Sequence, residues 1–208
     1  MTLTIKQHIK YTLGLAYPVI IGQLGFIMMG VVDSIMVGVL GPTPLAAASL
    51  ANSYIILIFI IGLGISFVVT PLVAIEVGAN RKSECGVLFR QSLIINMVVG
   101  VITTAVTFFA SYLLFYFDQP VEVVNLAQSY TILLGCSAIP TMLFQTYKQF
   151  IEGLSVMRPA MIITLLANII NIIANWLFIY GNFGMPALGL NGAGIATLSS
   201  RIFMALFI

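Results

Sequence analysis

Asp33 is an acidic residue in the middle of a long apolar run, which extends from Gly25 to Val37. No other acidic residue lies at comparable depth in any apolar segment of the chain. A carboxylate placed in the hydrocarbon of a membrane costs about 2.5–3.5 kcal/mol on insertion scales, and such residues mark ion or proton pathways. We therefore interpret Asp33 as a group that binds a cation or a proton.

Three other oxygen-bearing side chains lie at a similar depth in later apolar segments. Asn175 is near the end of the fifth segment, Asn171 is one helical turn deeper on the same face, and Thr197 follows the start of the sixth segment. A rise of about 1.5 Å per residue puts Asp33, Asn175 and Thr197 roughly 8–12 Å below the same membrane surface. Carboxylate, amide and hydroxyl oxygens suit a hard cation such as Na⁺, and also a protonated carboxyl. The alternative is that the amides and the hydroxyl only hold helices together.

Three further residues could modify this site. Arg201 lies about 18 Å below the same surface, where it either pairs as a counter-charge or lines an aqueous cavity. Asn168 precedes Asn171 by three residues, so it either extends the polar face or bonds a neighbouring helix. Pro18 precedes Asp33 by fifteen residues and bends the first helix, as a tolerated kink or as a hinge.

The composition is that of an integral membrane protein. Of 208 residues, 61% are hydrophobic and 7% are charged, whereas soluble domains carry about 25% charged residues. The apolar segments do not alternate as barrel strands do, so the fold class is an all-α bundle of six transmembrane helices. The predicted helices of this single unit, residues 1–208, are 11–40, 45–75, 91–117, 121–147, 159–180 and 188–208.

The reactive residues exclude several classes of protein. Nothing in the chain resembles a nucleic-acid-binding patch. Cys85 and Cys136 fall in a polar loop and an apolar segment, which favours two free thiols and gives no zinc spacing. The single histidine, His8, lies in the polar N-terminus, so the apolar segments offer no catalytic histidine for an intramembrane enzyme. We expect a membrane protein surrounded by lipids, with no cofactor and no enzymatic activity.

The basic residues predict the orientation in the membrane. Seven of the eight Lys and Arg residues flank the same ends of the predicted helices: Lys6, Lys10, Arg81, Lys82, Arg90, Lys148 and Arg158. The opposite loops carry only Asp118 and Glu122. Because cytoplasmic loops hold the excess of positive charge, we expect a cytoplasmic N-terminus in a bacterial inner membrane.

The last apolar segment continues to Ile208 without a flanking basic residue or polar tail. We therefore expect the chain to be a fragment of a longer protein.

Several of these residues lie in motifs that resemble one transporter family, the multidrug and toxic compound extrusion (MATE) transporters. The resemblance runs over essentially the whole chain, and it depends on the order and spacing of the motifs together. The motifs are Val32-Asp33-Ser34-Ile35-Met36-Val37-Gly38-Val39-Leu40-Gly41 with Leu45-Ala46-Ala47, Pro159-Ala160-Met161, Asn171-Ile172-Ile173-Ala174-Asn175-Trp176, Phe178-Ile179-Tyr180-Gly181 and Gly192-Ala193-Gly194-Ile195-Ala196-Thr197.

The resemblance implies a transporter of twelve helices in two six-helix lobes, of which this chain is the N-terminal lobe without its C-terminal lobe. Family members expel cationic, amphipathic organic compounds in exchange for Na⁺ or H⁺. Asp33 matches the first-helix acid that binds the coupling cation, and Asn171, Asn175 and Thr197 match its neighbours. Pro18 matches a proline at which the first helix bends in some members.

Two residues distinguish between branches of the family. Asn175 stands where the DinF-like branch carries an acid, and Met29 stands where that branch carries a tyrosine. Both favour the NorM-like branch and leave Na⁺ and H⁺ open as the coupling ion. Two other hypotheses also stay open: a lipid-linked oligosaccharide flippase of the same superfamily, and a non-transporting half that needs a second chain.

Overall fold

The structure, a computed structural model, describes residues 4–208. Within them, six helical stretches are long and apolar enough to cross a membrane, so the predicted all-α bundle of six membrane helices is confirmed. The helices are α1 (Ile5–Gly38), α2 (Pro42–Phe67), α3 (Val69–Gly78), α4 (Lys82–Ser111), α5 (Val121–Cys136), α6 (Ala138–Gly153), α7 (Arg158–Tyr180) and α8 (Leu190–Phe207). Short 3₁₀ turns at Tyr112–Tyr116 and Asn182–Gly184 follow α4 and α7.

Several helices extend further into polar sequence than we expected. The first begins at Ile5 rather than at residue 11, because the Thr4 backbone N–H donates to Oε1 of Gln7 at 2.8 Å and so satisfies one free donor of the first turn. The third begins at Lys82 rather than at residue 91. Placing Cys85 in a loop was therefore wrong, because it lies buried within α4. Both cysteines are free thiols, as expected.

Lys148 also lies inside a helix and not in the connection where we expected it. The fourth membrane helix continues through α6 to Gly153, and Lys148 is buried on it. Its Nζ lies 3.9 Å from Oε1 of Glu152, one turn further along α6. The acid within the same helix offsets part of the desolvation cost of the ammonium group, so the residue does not have to reach water.

Two of the six predicted helices are interrupted, each for the same physical reason. A proline has no backbone N–H and cannot donate to the carbonyl four residues before it. Pro71 would have to bond Phe67, the last residue of α2, and Pro140 would have to bond Cys136, the last residue of α5. The chain therefore ends one helix and starts the next at Val68 and at Ser137.

The core of the lobe is assembled around α7, which packs against both α1 and α8. Small residues allow these close approaches. At Gly25 in α1, a Cβ would lie only 3.2 Å from Cγ2 of Thr164 in α7. At Gly192 in α8, a Cβ would collide with the backbone carbonyl of Phe178 in α7. The faces that point away from the bundle expose Ile, Leu, Val and Phe side chains, as lipid contact requires.

We expect Gly192→Ala to destabilise the lobe, because the added methyl group forces α8 away from α7. Overpacking of this kind costs about 1–3 kcal/mol. The matched control is Gly64→Ala, where an added Cβ meets no atom within 4 Å. Thermal unfolding in detergent should show a lower midpoint for Gly192→Ala only; equal midpoints for both variants would contradict this account of the α7–α8 contact.

Candidate cation-binding site

Asp33 lies on the buried face of α1 and is only 5% exposed. Each oxygen of its carboxylate accepts a hydrogen bond from a different helix. Asn175 of α7 donates its Nδ2 to Oδ1 at 2.6 Å, and Thr197 of α8 donates its hydroxyl to Oδ2 at 2.7 Å. One carboxylate therefore joins three helices that are distant in the sequence, and charge-assisted bonds of this type are stronger than neutral ones.

The two asparagines of α7 form one continuous polar cluster with Asp33. Asn175 Nδ2 also donates to Asn171 Oδ1 at 3.1 Å, which the four-residue spacing on one helix face allows. Both asparagines are fully buried. The structure thus brings together all four residues that the sequence placed in one layer: Asp33, Asn171, Asn175 and Thr197.

Two amide atoms of the cluster find no hydrogen-bond partner among the described residues. They are Oδ1 of Asn175 and Nδ2 of Asn171. A buried, unpaired amide group costs about 1–3 kcal/mol, and of these two atoms only the oxygen is a potential cation ligand. The cluster thus holds an unpaired amide oxygen, Oδ1 of Asn175, in addition to the two oxygens of Asp33 and the hydroxyl of Thr197. The donor set is therefore oxygen only, with one formal charge, which suits a hard monovalent cation or a proton.

No group of three or more His, Cys, Asp or Glu side chains that could hold a metal ion occurs among residues 4–208. The oxygen cluster at Asp33 contains one acid and neutral side chains, which is too little negative charge to hold a divalent ion tightly.

A cavity of about 300 Å³ opens directly beside Asp33. Polar groups from four helices line it: Asp33, Asn52, Tyr130, Thr197 and Arg201. A groove of about 600 Å³ between α1 and α2 shares Asn52 with it and is lined by the exposed Ser34. The candidate cation site is therefore open on one side to a space large enough for part of an organic molecule.

Asn52 and Tyr130 were missed by the sequence reasoning. Asn52 is a polar residue within a long apolar segment, the same signal that drew attention to Asn171, so it could have been found. Tyr130 carries no such signal, because a tyrosine in a membrane helix resembles any other aromatic residue. Only the packing of α5 against α2 and α8 places its ring in the cavity wall.

Arg201 lines the same cavity without an acidic partner. Its Nη1 donates to Oγ of Ser137 at 2.5 Å, in the break between α5 and α6. Its guanidinium carbon lies 5.6 Å from the ring centroid of Phe59, within reach of a cation–π contact. The ion pairs among the described residues are Arg81–Glu76 and Lys148–Glu152. Of the two alternatives for Arg201, the structure therefore shows the cavity position and no direct pairing with an acid.

The remaining two residues singled out by the sequence lie outside the cluster. Asn168 donates its Nδ2 to the carbonyl of Gly25 at 2.8 Å and to that of Thr164 at 2.9 Å. It thus ties α7 to α1 and does not line the cavity. Pro18 is buried within α1, which runs as one helix on both sides of it.

Residues 18–177 match the sequence model of the MatE family. The chain belongs to this family of MATE transporters. Similar relatives named multidrug resistance protein NorM occur in Photobacterium profundum, with 31% identity, and in Vibrio cholerae, with 32% identity. Each alignment covers 92% of this chain and 42% of the relative. The match to NorM proteins confirms the predicted branch, and the chain spans less than half the length of these relatives.

Solved MATE structures have the same fold. A structure described as the outward-facing conformation of a multidrug resistance MATE family transporter superposes with a TM-score of 0.82 at 29% identity, over 95% of this chain and 43% of that one. A transporter of the same superfamily from Pyrococcus furiosus, described as having a binding pocket of reverse polarity, gives 0.77 at 28% identity, with the same shares covered. This chain therefore corresponds to one lobe of a MATE transporter.

We expect Thr197→Val to destabilise the MATE lobe, because it leaves Oδ2 of the buried Asp33 without its donor at almost unchanged side-chain volume. Loss of one partner of a buried, charged hydrogen bond costs about 1–3 kcal/mol. Thr197→Ser keeps the hydroxyl and is the matched control. Thermal unfolding in detergent at neutral pH measures the effect; if Val and Ser at this position lower the midpoint equally, the Thr197–Asp33 bond does not stabilise the fold.

Proposed function

We propose that this chain is the N-terminal lobe of a multidrug antiporter, which exports cationic amphipathic compounds by alternating access in exchange for Na⁺ or H⁺. The observation that carries the proposal is the placement of Asp33. It is a buried carboxylate whose oxygens are held by Asn175 and Thr197, and it faces a cavity. The names of the relatives, multidrug resistance proteins, support the same function.

The same carboxylate serves both the coupling ion and the drug. An ionised Asp33 attracts a positively charged compound into the cavity beside it. Once Asp33 is protonated or bound to Na⁺, that attraction is lost and the drug is released. Ion and drug therefore exclude one another at one residue, which is the requirement for exchange.

Asn175 lets the site accept either form of Asp33. In the structure its Nδ2 donates to the carboxylate, while its Oδ1 is buried and has no partner among the described residues. Rotation of the amide would present Oδ1 instead, which could accept a bond from a protonated Asp33 or coordinate Na⁺. Such a rotation exchanges one hydrogen bond between α7 and the α1 carboxyl for another, and Pro18 supplies the weak point at which α1 then bends.

The second lobe forms the other half of the transporter in this proposal. The chain matches 42% of its NorM relatives, and the groove between α1 and α2 leaves Asn52 and Ser34 exposed on an otherwise apolar surface. A lipid-linked oligosaccharide flippase would need several basic residues in the cavity, whereas Arg201 is the one basic residue among its described lining. A self-sufficient half is tested by an efflux assay on this chain alone.

We expect Asp33→Asn to abolish ion-coupled efflux in the complete transporter that contains this lobe, while the protein still inserts into the membrane. The amide has nearly the same shape but can neither ionise nor be neutralised. Efflux of a fluorescent cation such as ethidium from energised cells measures the effect. The control is Asp118→Asn, which removes an exposed acid. Efflux by Asp33→Asn at the wild-type rate would rule the mechanism out.

We also propose that the N-terminus is cytoplasmic, in a bacterial inner membrane. The basic residues near the helix ends lie on the same side of the membrane as the N-terminus, and cytoplasmic loops hold the excess of Lys and Arg. Single cysteines at Ser155 and at Asp118, both exposed, should then react differently in intact cells. A membrane-impermeant maleimide is expected to label Asp118→Cys and not Ser155→Cys. The native cysteines are replaced beforehand, and the reverse pattern would invert the assigned topology.

A further inference from the structure

The wall of the drug cavity carries two opposite charges that are not in direct contact. Asp33 and Arg201 both line the cavity of about 300 Å³, but no ion pair within 4.0 Å joins them. Thr197, which bonds Asp33, lies one turn before Arg201 on α8, about 6 Å along the helix axis. The acid and the guanidinium are therefore neighbours with space between them.

Only part of the guanidinium group of Arg201 is hydrogen-bonded. Nη1 is fixed by Oγ of Ser137, and the face of the group lies over Phe59. Nε is buried and has no hydrogen-bond partner among the described residues. Nε and Nη2 form the edge of arginine that binds a carboxylate through two parallel hydrogen bonds. The side chain is thus oriented in advance, with its anion-binding edge unengaged.

A buried guanidinium with no acid in direct contact is costly, and the cost falls when a carboxylate occupies that edge. We propose that Arg201 forms an anion subsite of the drug cavity, which takes the carboxylate of a zwitterionic amphipathic substrate whose cationic group lies at Asp33. The proposal rests on the proposed drug-transport function and adds a residue that determines its specificity. The same edge could also hold a small free anion such as chloride, and the experiment separates these two sources.

The test compares two dyes that differ only in the carboxylate: rhodamine B, a zwitterion, and its methyl ester, a permanent cation. Binding to the complete transporter in lipid nanodiscs is followed by fluorescence anisotropy, with protein-free nanodiscs as the blank. We expect the zwitterion to bind about tenfold more tightly than the ester, which corresponds to 1.4 kcal/mol. This comparison uses the wild-type protein alone, so it does not depend on whether a variant folds. Equal affinities would overturn the proposal.

Arg201→Gln should reduce the ratio of the two affinities about tenfold, because it weakens zwitterion binding and removes a cation that repels the ester. Arg201→Lys should restore part of the ratio, since lysine keeps the positive charge but cannot form the bidentate pair of hydrogen bonds. Ser199→Ala is the matched control on α8, because its hydroxyl bonds only the Ile195 carbonyl of its own helix. An unchanged ratio in Arg201→Gln would also overturn the proposal.

Replacing chloride by gluconate identifies the source of the anion. If the subsite takes the substrate carboxylate, the zwitterion binds equally or more tightly in gluconate, because a competitor is removed. If the ester binds more weakly in gluconate, a free chloride occupies the edge and the substrate assignment is wrong. Asp33→Asn tests the proposed function separately: if it leaves the binding of both dyes unchanged while Arg201→Gln alters their ratio, the ion–drug site at Asp33 fails and the anion subsite stands.

Discussion

The pair of hydrogen bonds from Asn175 and Thr197 to the two oxygens of Asp33 is the interaction on which this side of the lobe depends. A carboxylate buried in a membrane bundle has no water to solvate it, so its donors must come from the protein. Here they come from α7 and α8, which must therefore approach α1 closely. The absence of a side chain at Gly192 removes the steric obstacle at the contact between α7 and α8.

Two prolines organise the helices that complete the lobe. Pro71 and Pro140 deprive Phe67 and Cys136 of their helical hydrogen bonds, and both helices break one turn before the proline. The break at Ser137 has a second consequence, because its hydroxyl then accepts the bond from Arg201. An interruption caused by backbone chemistry thus fixes the orientation of a charged side chain in the cavity.

The two charged groups of the resulting cavity differ in how completely they are hydrogen-bonded. The acid is satisfied by two donors within the protein, whereas the guanidinium edge at Nε is not satisfied by any described residue. Tyr130 and Asn52 complete the wall with neutral polar groups. The cavity therefore pairs a hydrogen-bonded acid with a guanidinium whose Nε has no described partner.

The sequence by itself determined the class of the protein and the layer of its polar residues. The excess of apolar residues, the cost of one buried acid and the regular rise of a helix were enough to place Asp33, Asn171, Asn175 and Thr197 at one depth, because depth follows from position along a helix. The bend or break at a proline was also predictable in kind, but the sequence segments did not show that Pro71 and Pro140 end helices.

Rotation about each helix axis, and the choice of neighbours, were decided only by the tertiary structure. Depth alone does not say whether Asn168 faces the cavity or the α1 backbone, and packing placed its amide on the carbonyl of Gly25. Lys148, assigned to a loop from its charge, is held inside α6 by Glu152. Tyr130 and Arg201 reach one cavity because α5 and α8 pack together, a contact between segments about 70 residues apart that no local propensity encodes.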